Sequence, residues 1–540
     1  MESTMAGKDI YFGEEARNEL LSGINQLAKV VGKTHGPKGR AVLLEKSFGG
    51  PTVSLDGATI AKEIEVEDRR ENLGIHLIRE VAKKQADAAG DGTTTSIILS
   101  QSIFSESLRN VAAGTDAMSI KRGIDHGVRV AIDAMKGIAS DVEGRGDLTK
   151  VATLSANGDK AIGNIIGEAL HKAGVSGAIS VEEGQGLETT LEFVEGMQFD
   201  KGYLSPHFIT DFASMETVLE NCYIVLHEKK ISAAKDLVGV LELCAEQNKP
   251  LLVVAEDIEG EALQLLVVNK IRGVVSCCGV KAPGFGDRRR EMLQDMAILT
   301  GGEVITETAG MSLETAGADV LGRAKRVAVG KDDTTISRGA GKKEDIAGRL
   351  DQIRKLLDAS TSDYDKEKLQ ERISKLSGGI ATIQIGGSTE SEVKEKKERA
   401  EDAVAATRAA AEEGVVPGGG IAYLRAAAAV ADAKIKGAGE KVGLEILTRA
   451  LAAPTNQIVS NAGRDGEVIT EQLKEADTNQ GFDAANGQVV DMLESGIVDP
   501  LKVTRLAVEN AASIASLLVS TQAVICKTPE KEDEHEDHMD

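Results

Sequence analysis

The chain has 540 residues, which at roughly 150 residues per domain predicts about three or four domains, each large enough for its own core. Asp and Glu outnumber Lys and Arg by 86 to 63, and a net charge of −23 disfavours nucleic acid and anionic membrane surfaces as partners. With 3% aromatic residues and no Trp there are few platforms for base stacking, and 41% hydrophobic residues exclude global disorder.

In chain order, Met1-Glu-Ser-Thr-Met-Ala-Gly-Lys8 lacks a basic n-region and an apolar core, so a cytoplasmic location is expected. A processed form in an organellar matrix or stroma is the alternative. Helical patterns fill 14–137, with examples at 14–31, 72–89 and 118–138, separated by Gly-rich loops. The 58 Gly against 9 Pro point to tight turns. In the middle, Pro250-Leu-Leu-Val-Val-Ala-Glu256 is a short apolar run. A helical stretch from Glu259 and a second apolar run from Gly273 follow it, predicting a β–α–β unit with parallel strands. Ile346, Leu350, Ile353 and Leu357, then Leu369, Ile373 and Leu376, repeat at helical spacing around Ser360-Thr-Ser and predict a helical hairpin. Helical patterns return over 400–526, including 499–526, with Ala-rich stretches at 403–411 and 426–431 suited to close packing. An α/β middle is therefore inserted between two helical outer segments that must meet in one discontinuous domain. The end, from Pro529 to Asp540, is a charge run expected to be solvated, and His535 and His538 give it at most weak metal affinity.

Cys222, Cys244, Cys277, Cys278 and Cys526 show neither C-x-x-C nor zinc spacing, so buried, reduced thiols are expected. No stretch reaches the roughly 18 apolar residues that would span a membrane.

Three Gly-bearing loops carry the candidate chemistry. Ala89-Gly-Asp-Gly-Thr-Thr-Thr95 joins two helical patterns; its glycines admit a ligand close to the backbone, its hydroxyls add donors, and Asp91 is a hard oxygen ligand for Mg²⁺. Taken alone it reads equally as a turn with Thr caps. Thr34-His-Gly-Pro-Lys-Gly-Arg40 and Val416-Pro-Gly-Gly-Gly420 are the other two, and all three are expected near helix starts. Gly32-Lys33-Thr34 is not a P-loop, because Leu27 stands where the upstream glycine belongs and no strand precedes it. Asp56, Asp402 and Asp499 complete a set able to orient water and bind a metal in phosphoryl transfer. Individually, Asp-Gly is a turn and Asp-Pro a cap.

These loops resemble the signatures of group I chaperonins of the GroEL type. So do Lys281-Ala-Pro-Gly-Phe-Gly-Asp-Arg-Arg289, 255–263, 361–372 and 409–420, and the likeness is collinear from about Lys8 to about Thr528. The resemblance implies a multidomain α+β and α/β protein. A helical equatorial ATPase domain would take 1–137 plus 413–540, a small α/β intermediate hinge domain 138–194 plus 381–412, and an α/β apical domain 195–380. It implies an ATP-dependent chaperone that captures non-native polypeptides and encapsulates them in a ring cavity. The rings would be seven-membered, usually stacked in pairs, under a co-chaperonin lid.

Carried over by motif, the nucleotide site would comprise Thr34, His35, Gly36, Pro37, Asp91, Gly92, Thr93, Thr94, Thr95, Gly419, Asp483, Ala484, Ala485 and Asp499. Asp91 would hold Mg²⁺ with K⁺ nearby; Asp402 would activate water and Asp56 support it. Polypeptide and lid binding would fall to Tyr203, His207, Phe208, Val238, Leu241, Leu263, Val267 and Val268. On residues alone, the 263–268 helix is apolar all round and reads as buried; the resemblance opens one face of it to clients.

The sequence departs from the family at Leu55 (usually Lys), His35 (usually apolar), Asp483 (commonly Asn) and His207 (usually aromatic). Asn456 and Asp465 replace a charged ring–ring pair, which motivates a labile or single ring, and the acidic tail replaces a Gly- and Met-rich one. These departures also leave open a specialised paralogue acting as a protein-binding scaffold with weak ATPase. A metabolic kinase would need a P-loop or an acceptor pocket, and the sequence offers neither.

Overall fold

A computed structural model describes residues 8–527 apart from 46–50, 157, 175–176, 185, 195, 212–214, 307–309, 361 and 378–379. The acidic tail with His535 and His538 lies outside the described residues. The chain forms two compact units, Met1–Glu168 with Glu398–Asp540, and Ala169–Lys397. The first is discontinuous in sequence. The segments assigned to a hinge domain are divided: helix Gly144–Ser155 falls in the first unit, while strands Ala178–Glu183, Thr190–Val194 and Ile380–Ile385 fall in the second.

The first unit is built on long helices, among them Gly13–Val31, Arg69–Ala89, Thr93–Ala112, Ala117–Gly137, Ile421–Ala431, Ala438–Ala450 and Leu501–Ser520. Its core collects Leu20, Ile24 and Leu27 with Ile75, Ile78 and Phe104, and small residues such as Ala426, Ala507 and Ala511 let the helices approach. Glycine serves packing here as well as turns. A Cβ on Gly23 would stand 2.1 Å from the Glu71 carbonyl oxygen, and one on Gly74 would stand 2.3 Å from that of Leu20. Helices Gly13–Val31 and Arg69–Ala89 therefore cross with their backbones in contact. The helix expected over 499–526 ends at Ser520. Ala523–Lys527 is instead a strand, antiparallel to Lys8–Phe12. Alternating exposure at Val524, Ile525 and Cys526 is the period of two that separates it from the helix before it.

The second unit centres on a seven-stranded sheet. Its order is Gly196–Phe199, Thr334–Gly339, Gly322–Val329, Thr217–His227, Leu251–Ala255 and Cys277–Lys281, with Val304–Ile305 pairing beside Thr217–His227. The predicted β–α–β unit is present: Leu251–Ala255 and Cys277–Lys281 are parallel, in register from Leu251 opposite Cys277, and helix Gly260–Ile271 connects them. Every residue of Leu251–Ala255 is buried, which is why it reads as a continuous apolar run. A separate three-stranded sheet places Ile380–Ile385 between Ala178–Glu183 and Thr190–Val194. All five cysteines are free and buried, and burial pushes the Cys222, Cys244 and Cys277 thiols up to about 12. No helix among the described residues is long and apolar enough to cross a membrane.

The helical hairpin is Lys343–Ala359 and Asp363–Ser377, with Ile346, Ile353, Ile373 and Leu376 turned inward. Ion pairs pin it to helix Asp287–Thr300. Fully buried Asp295 takes Arg349 Nε and Arg372 Nε at 2.8 Å each, and Glu291 takes the same two guanidinium groups at 2.7 and 2.9 Å. Removing the buried carboxylate leaves both Nε–H groups without a partner and two cations sharing Glu291 alone, a loss of about 3 kcal/mol. Deleting the exposed Arg354–Asp351 pair costs less than about 1 kcal/mol. In urea denaturation and hydrogen exchange, Asp295→Ala is expected to lower stability by that larger amount and to unprotect helices Lys343–Ala359 and Asp363–Ser377. Arg354→Ala should leave both readings near wild type.

Candidate nucleotide site

All sixteen residues of the nucleotide and catalytic set lie in the first unit. Asp91 sits between two left-handed glycines. Gly90 (φ 68°) ends helix Arg69–Ala89 and Gly92 (φ 82°) precedes helix Thr93–Ala112. Neither glycine has room for a side chain. A Cβ on Gly90 would be 2.2 Å from Ala405 Cβ, and one on Gly92 would be 2.7 Å from Val503 Cγ1. Ala405 lies three residues past Asp402 on helix Glu390–Glu413, so this contact lays the Asp402 face of that helix against the 90–92 turn. Gly57, beside Asp56, is as confined: a Cβ there would meet Thr94 Oγ1 at 2.3 Å, Thr93 Oγ1 at 3.2 Å and Val31 Cγ1 at 3.2 Å.

Helix Ala453–Asn461 joins the remaining loops. Asn461 Nδ2 donates to the carbonyls of Gly32 and His35, both at 2.8 Å, while Thr455 Oγ1 donates to the Gly419 carbonyl at 3.4 Å. Gly36 (φ 79°) lies against Ile458. The loop 34–40 follows a helix and leads into strand Val42–Leu44, so only 90–95 and 416–420 stand at helix starts; this corrects the expectation for the third loop. Strand Val415–Pro417 pairs with Val498–Pro500, setting Val416 opposite Asp499. Gly419 approaches Met492 and the Phe482 carbonyl, which brings in the turn of Asp483, Ala484 and Ala485. Asp483 is occupied there: Oδ1 accepts from Ala485 N at 2.9 Å and Oδ2 from Asn486 Nδ2 at 2.6 Å.

The electrostatics follow from this crowding. Asp91 sits in a concavity that water reaches. The protein around it still strips enough hydration to raise its carboxyl above the usual range, and Asp56 raises it further. Asp402 is likewise open to water, yet desolvation by the protein around it, then repulsion from Asp91 and Asp56, pushes its carboxyl up to about 8. Burial and Asp91 push Asp499 up to about 7, against the Gly420 N–H bond that holds it down. Asp56 is the N-cap of helix Gly57–Glu63, accepting from Ala58 N at 3.2 Å and Thr59 N at 2.7 Å. By contrast, helices Thr93–Ala112 and Ile421–Ala431 each start from a left-handed glycine with no side-chain cap; the first leaves N–H groups free for an anion, whereas in the second Ile421 N and Tyr423 N already donate to the Gly418 and Gly420 carbonyls. Carboxyls of Asp402 and Asp499 that are each repelled by Asp91, beside the open start of helix Thr93–Ala112, fit a cation together with a polyanion. Among the described residues no three His, Cys, Asp or Glu form a cage for a metal on their own. Mg²⁺ needs none, since it is commonly held by one or two carboxylates plus phosphate and water.

Residues 27–529 match the TCP-1/cpn60 chaperonin family. The chain belongs to that family. Membership gives this chaperonin a chaperone role, nucleotide binding, and assembly into rings that take unfolded polypeptide.

Three residues that hold the site went unread in the sequence. Gln85 is fully buried; its Nε2 donates to the carbonyls of Asp91 (2.9 Å) and Val503 (3.1 Å), and its Oε1 accepts from Asn510 (3.1 Å). It occupies a core slot in the series Ile75, Ile78, Ala82, Gln85, Ala89, and a polar residue at apolar spacing was the available signal. Asn461 clamps the 32–35 loop. Arg425 donates to four carbonyls, those of Leu473, Asp477, Thr478 and Gln480, fixing the strand that carries Asp483.

The residues expected to bind polypeptide lie in the second unit and divide by exposure. Val238 and Val268 are exposed, 40% and 42%, as is His207; Tyr203, Leu263 and Val267 are half-buried; Phe208 and Leu241 are closed in the core. On helix Gly260–Ile271, Ala262 and Leu266 face inward, while Gln264, Val268 and Ile271 form an open stripe. A helix apolar all round is thus buried on one side only.

His35 carries a sealed Nε2 with no hydrogen-bond partner, and burial pushes its imidazole down from 6.5 to about 4. Between those values the unfolded chain binds a proton that the folded chain refuses. Stability from this group is therefore complete above pH 6.5 and lost as pH falls toward 4. Thermal melting at pH 7.5 and 5 should show a smaller acid-side drop for His35→Leu than for wild type.

Proposed function

We propose that this chaperonin is an ATPase that folds proteins. ATP would be hydrolysed in an equatorial domain (1–137 plus 413–540), and a hinge (138–194 plus 381–412) would pass the change to an apical domain (195–380) that captures non-native polypeptide. The observation that carries the reading is the convergence of Asp91, Asp402 and Asp499 beside the open start of helix Thr93–Ala112. Free N–H groups of helix Thr93–Ala112 and the hydroxyls of Thr93, Thr94 and Thr95 bind phosphate oxygens. Thr34, His35, Gly36 and Pro37 line one side of the nucleotide, and Gly419 with Asp483, Ala484 and Ala485 the other. Asp91 is the residue that would hold Mg²⁺; when bound, that ion, with K⁺ beside it, offsets charge on the transferring phosphate. Asp402 is placed to take a proton from water, and its carboxyl, pushed up to about 8 by desolvation and then by Asp91 and Asp56, must first release its own. Asp56 orients that water through the lone pairs its cap bonds leave free.

Capture falls to the open stripe of helix Gly260–Ile271 with Val238, an apolar surface of the kind that binds extended apolar segments. We further propose cytoplasmic seven-membered rings closed by a co-chaperonin. The ring–ring contact would be weaker than a salt bridge, because the Asp465 carboxylate is occupied capping helix Gly466–Lys474 and Asn456 Oδ1 is buried.

Asp402→Ala should bind ATP yet lose about 10²-fold or more in steady-state phosphate release; normal turnover would remove Asp402 from the mechanism. Val268→Ser should suppress aggregation of a denatured client less well while its ATP hydrolysis stays near wild type. Equal protection by both proteins would remove that stripe from capture.

A further inference from the structure

The second unit contains a cavity of about 160 Å³ that the chaperone reading leaves unused. One wall is the seven-stranded sheet, through Lys325, Arg326 and their neighbours; the other is the three-stranded sheet, through Glu182 and Thr382. The larger sheet is irregular at this spot. Its ladder pairs Glu220 with Arg326 and Cys222 with Ala324, passing over Asn221 and Lys325 between them. On the other flank it pairs Ala324 with Gly339 and Arg326 with Ser337, passing over Lys325 and Arg338. Asn221 (φ 52°) and Arg338 (φ 53°) both occupy the left-handed region. One line across three strands is therefore held out of the pleat, with Lys325 at its centre. Asn enters that region readily, but a long side chain such as Arg338 stays there only where its surroundings impose it, and such strain gathers at ligand sites.

The polar groups on this line are unbalanced. Thr382 is 1% exposed and its hydroxyl has no hydrogen-bond partner. Arg326 neutralises both wall carboxylates, Glu220 at 2.8 Å and Glu182 at 3.3 Å, yet its buried Nε–H is not aimed at an acceptor. Arg338 gives one guanidinium nitrogen to Glu192. Lys325 has no ion pair among the described residues. The lining thus offers more donors than acceptors. Water brings two donors of its own to such a site; hydrogenphosphate brings one, and its other oxygens only accept. At about 30 Å³ per water the cavity has room for about five, enough for a tetrahedral anion with part of its hydration.

We propose that this cavity binds a small oxyanion of the inorganic phosphate type, seated between Lys325, Arg338 and the Thr382 hydroxyl. The test is calorimetric titration of phosphate into the full-length assembly. Its nucleotide sites are first saturated with ADP and Mg²⁺, and chloride at matched ionic strength serves as control. One saturable phosphate per chain is expected, with binding at least tenfold weaker in Thr382→Val and Lys325→Gln while both variants keep wild-type ATP hydrolysis. Absence of saturable heat, an equal response to chloride, or unchanged affinity in both variants would overturn the assignment and leave a cavity filled by water.

Discussion

Like charges gathered in a concave site raise one another's free energy, and the first unit is organised around tolerating that repulsion. Asp91, Asp402 and Asp499 titrate high because protein surrounds them and because each feels another. What holds them together is backbone packing at Gly57, Gly90 and Gly92, where any side chain would collide with Thr94, Ala405 or Val503. Those glycines depend in turn on the long helices and their core of Ile, Leu and Ala. The same crowding that disfavours three bare carboxylates favours a cation and a polyanion entering together.

Much of this was legible from residue spacing. Long helices, the parallel β–α–β unit and the helical hairpin announce themselves because each has an uninterrupted period or a fully apolar run. The short pieces did not. Strands of three residues such as Val415–Pro417 carry too few positions for any period, and the pairing of Lys8–Phe12 with Ala523–Lys527 joins opposite ends of the chain. The loops of the site were legible as Gly-rich turns, but what gathers them was not. Gln85 bonds to Val503, Asn461 to Gly32 and Thr455 to Gly419, and such side-chain contacts across long separations leave no local pattern.

In the second unit, composition overstates burial for helix Gly260–Ile271. Ala262 and Leu266 suffice to anchor it, which frees Val268 and Ile271 to stay in water. Phe208 and Leu241 show the reverse: their burial makes them supports of the open surface rather than part of it. The Asp295 cluster adds rigidity where the apolar contacts of the hairpin are few, at the cost of a desolvated charge.

The five enclosed thiols have a chemical consequence of their own. A sulfur attacks peroxide or disulfide as the thiolate, and a group pushed to about 12 supplies almost none at neutral pH. While folded, the cysteines of the second unit are therefore poor targets for oxidants. Heat or denaturant that opens its sheet restores four ordinary cysteines at once, so thiol oxidation and cross-linking in this unit set in with unfolding.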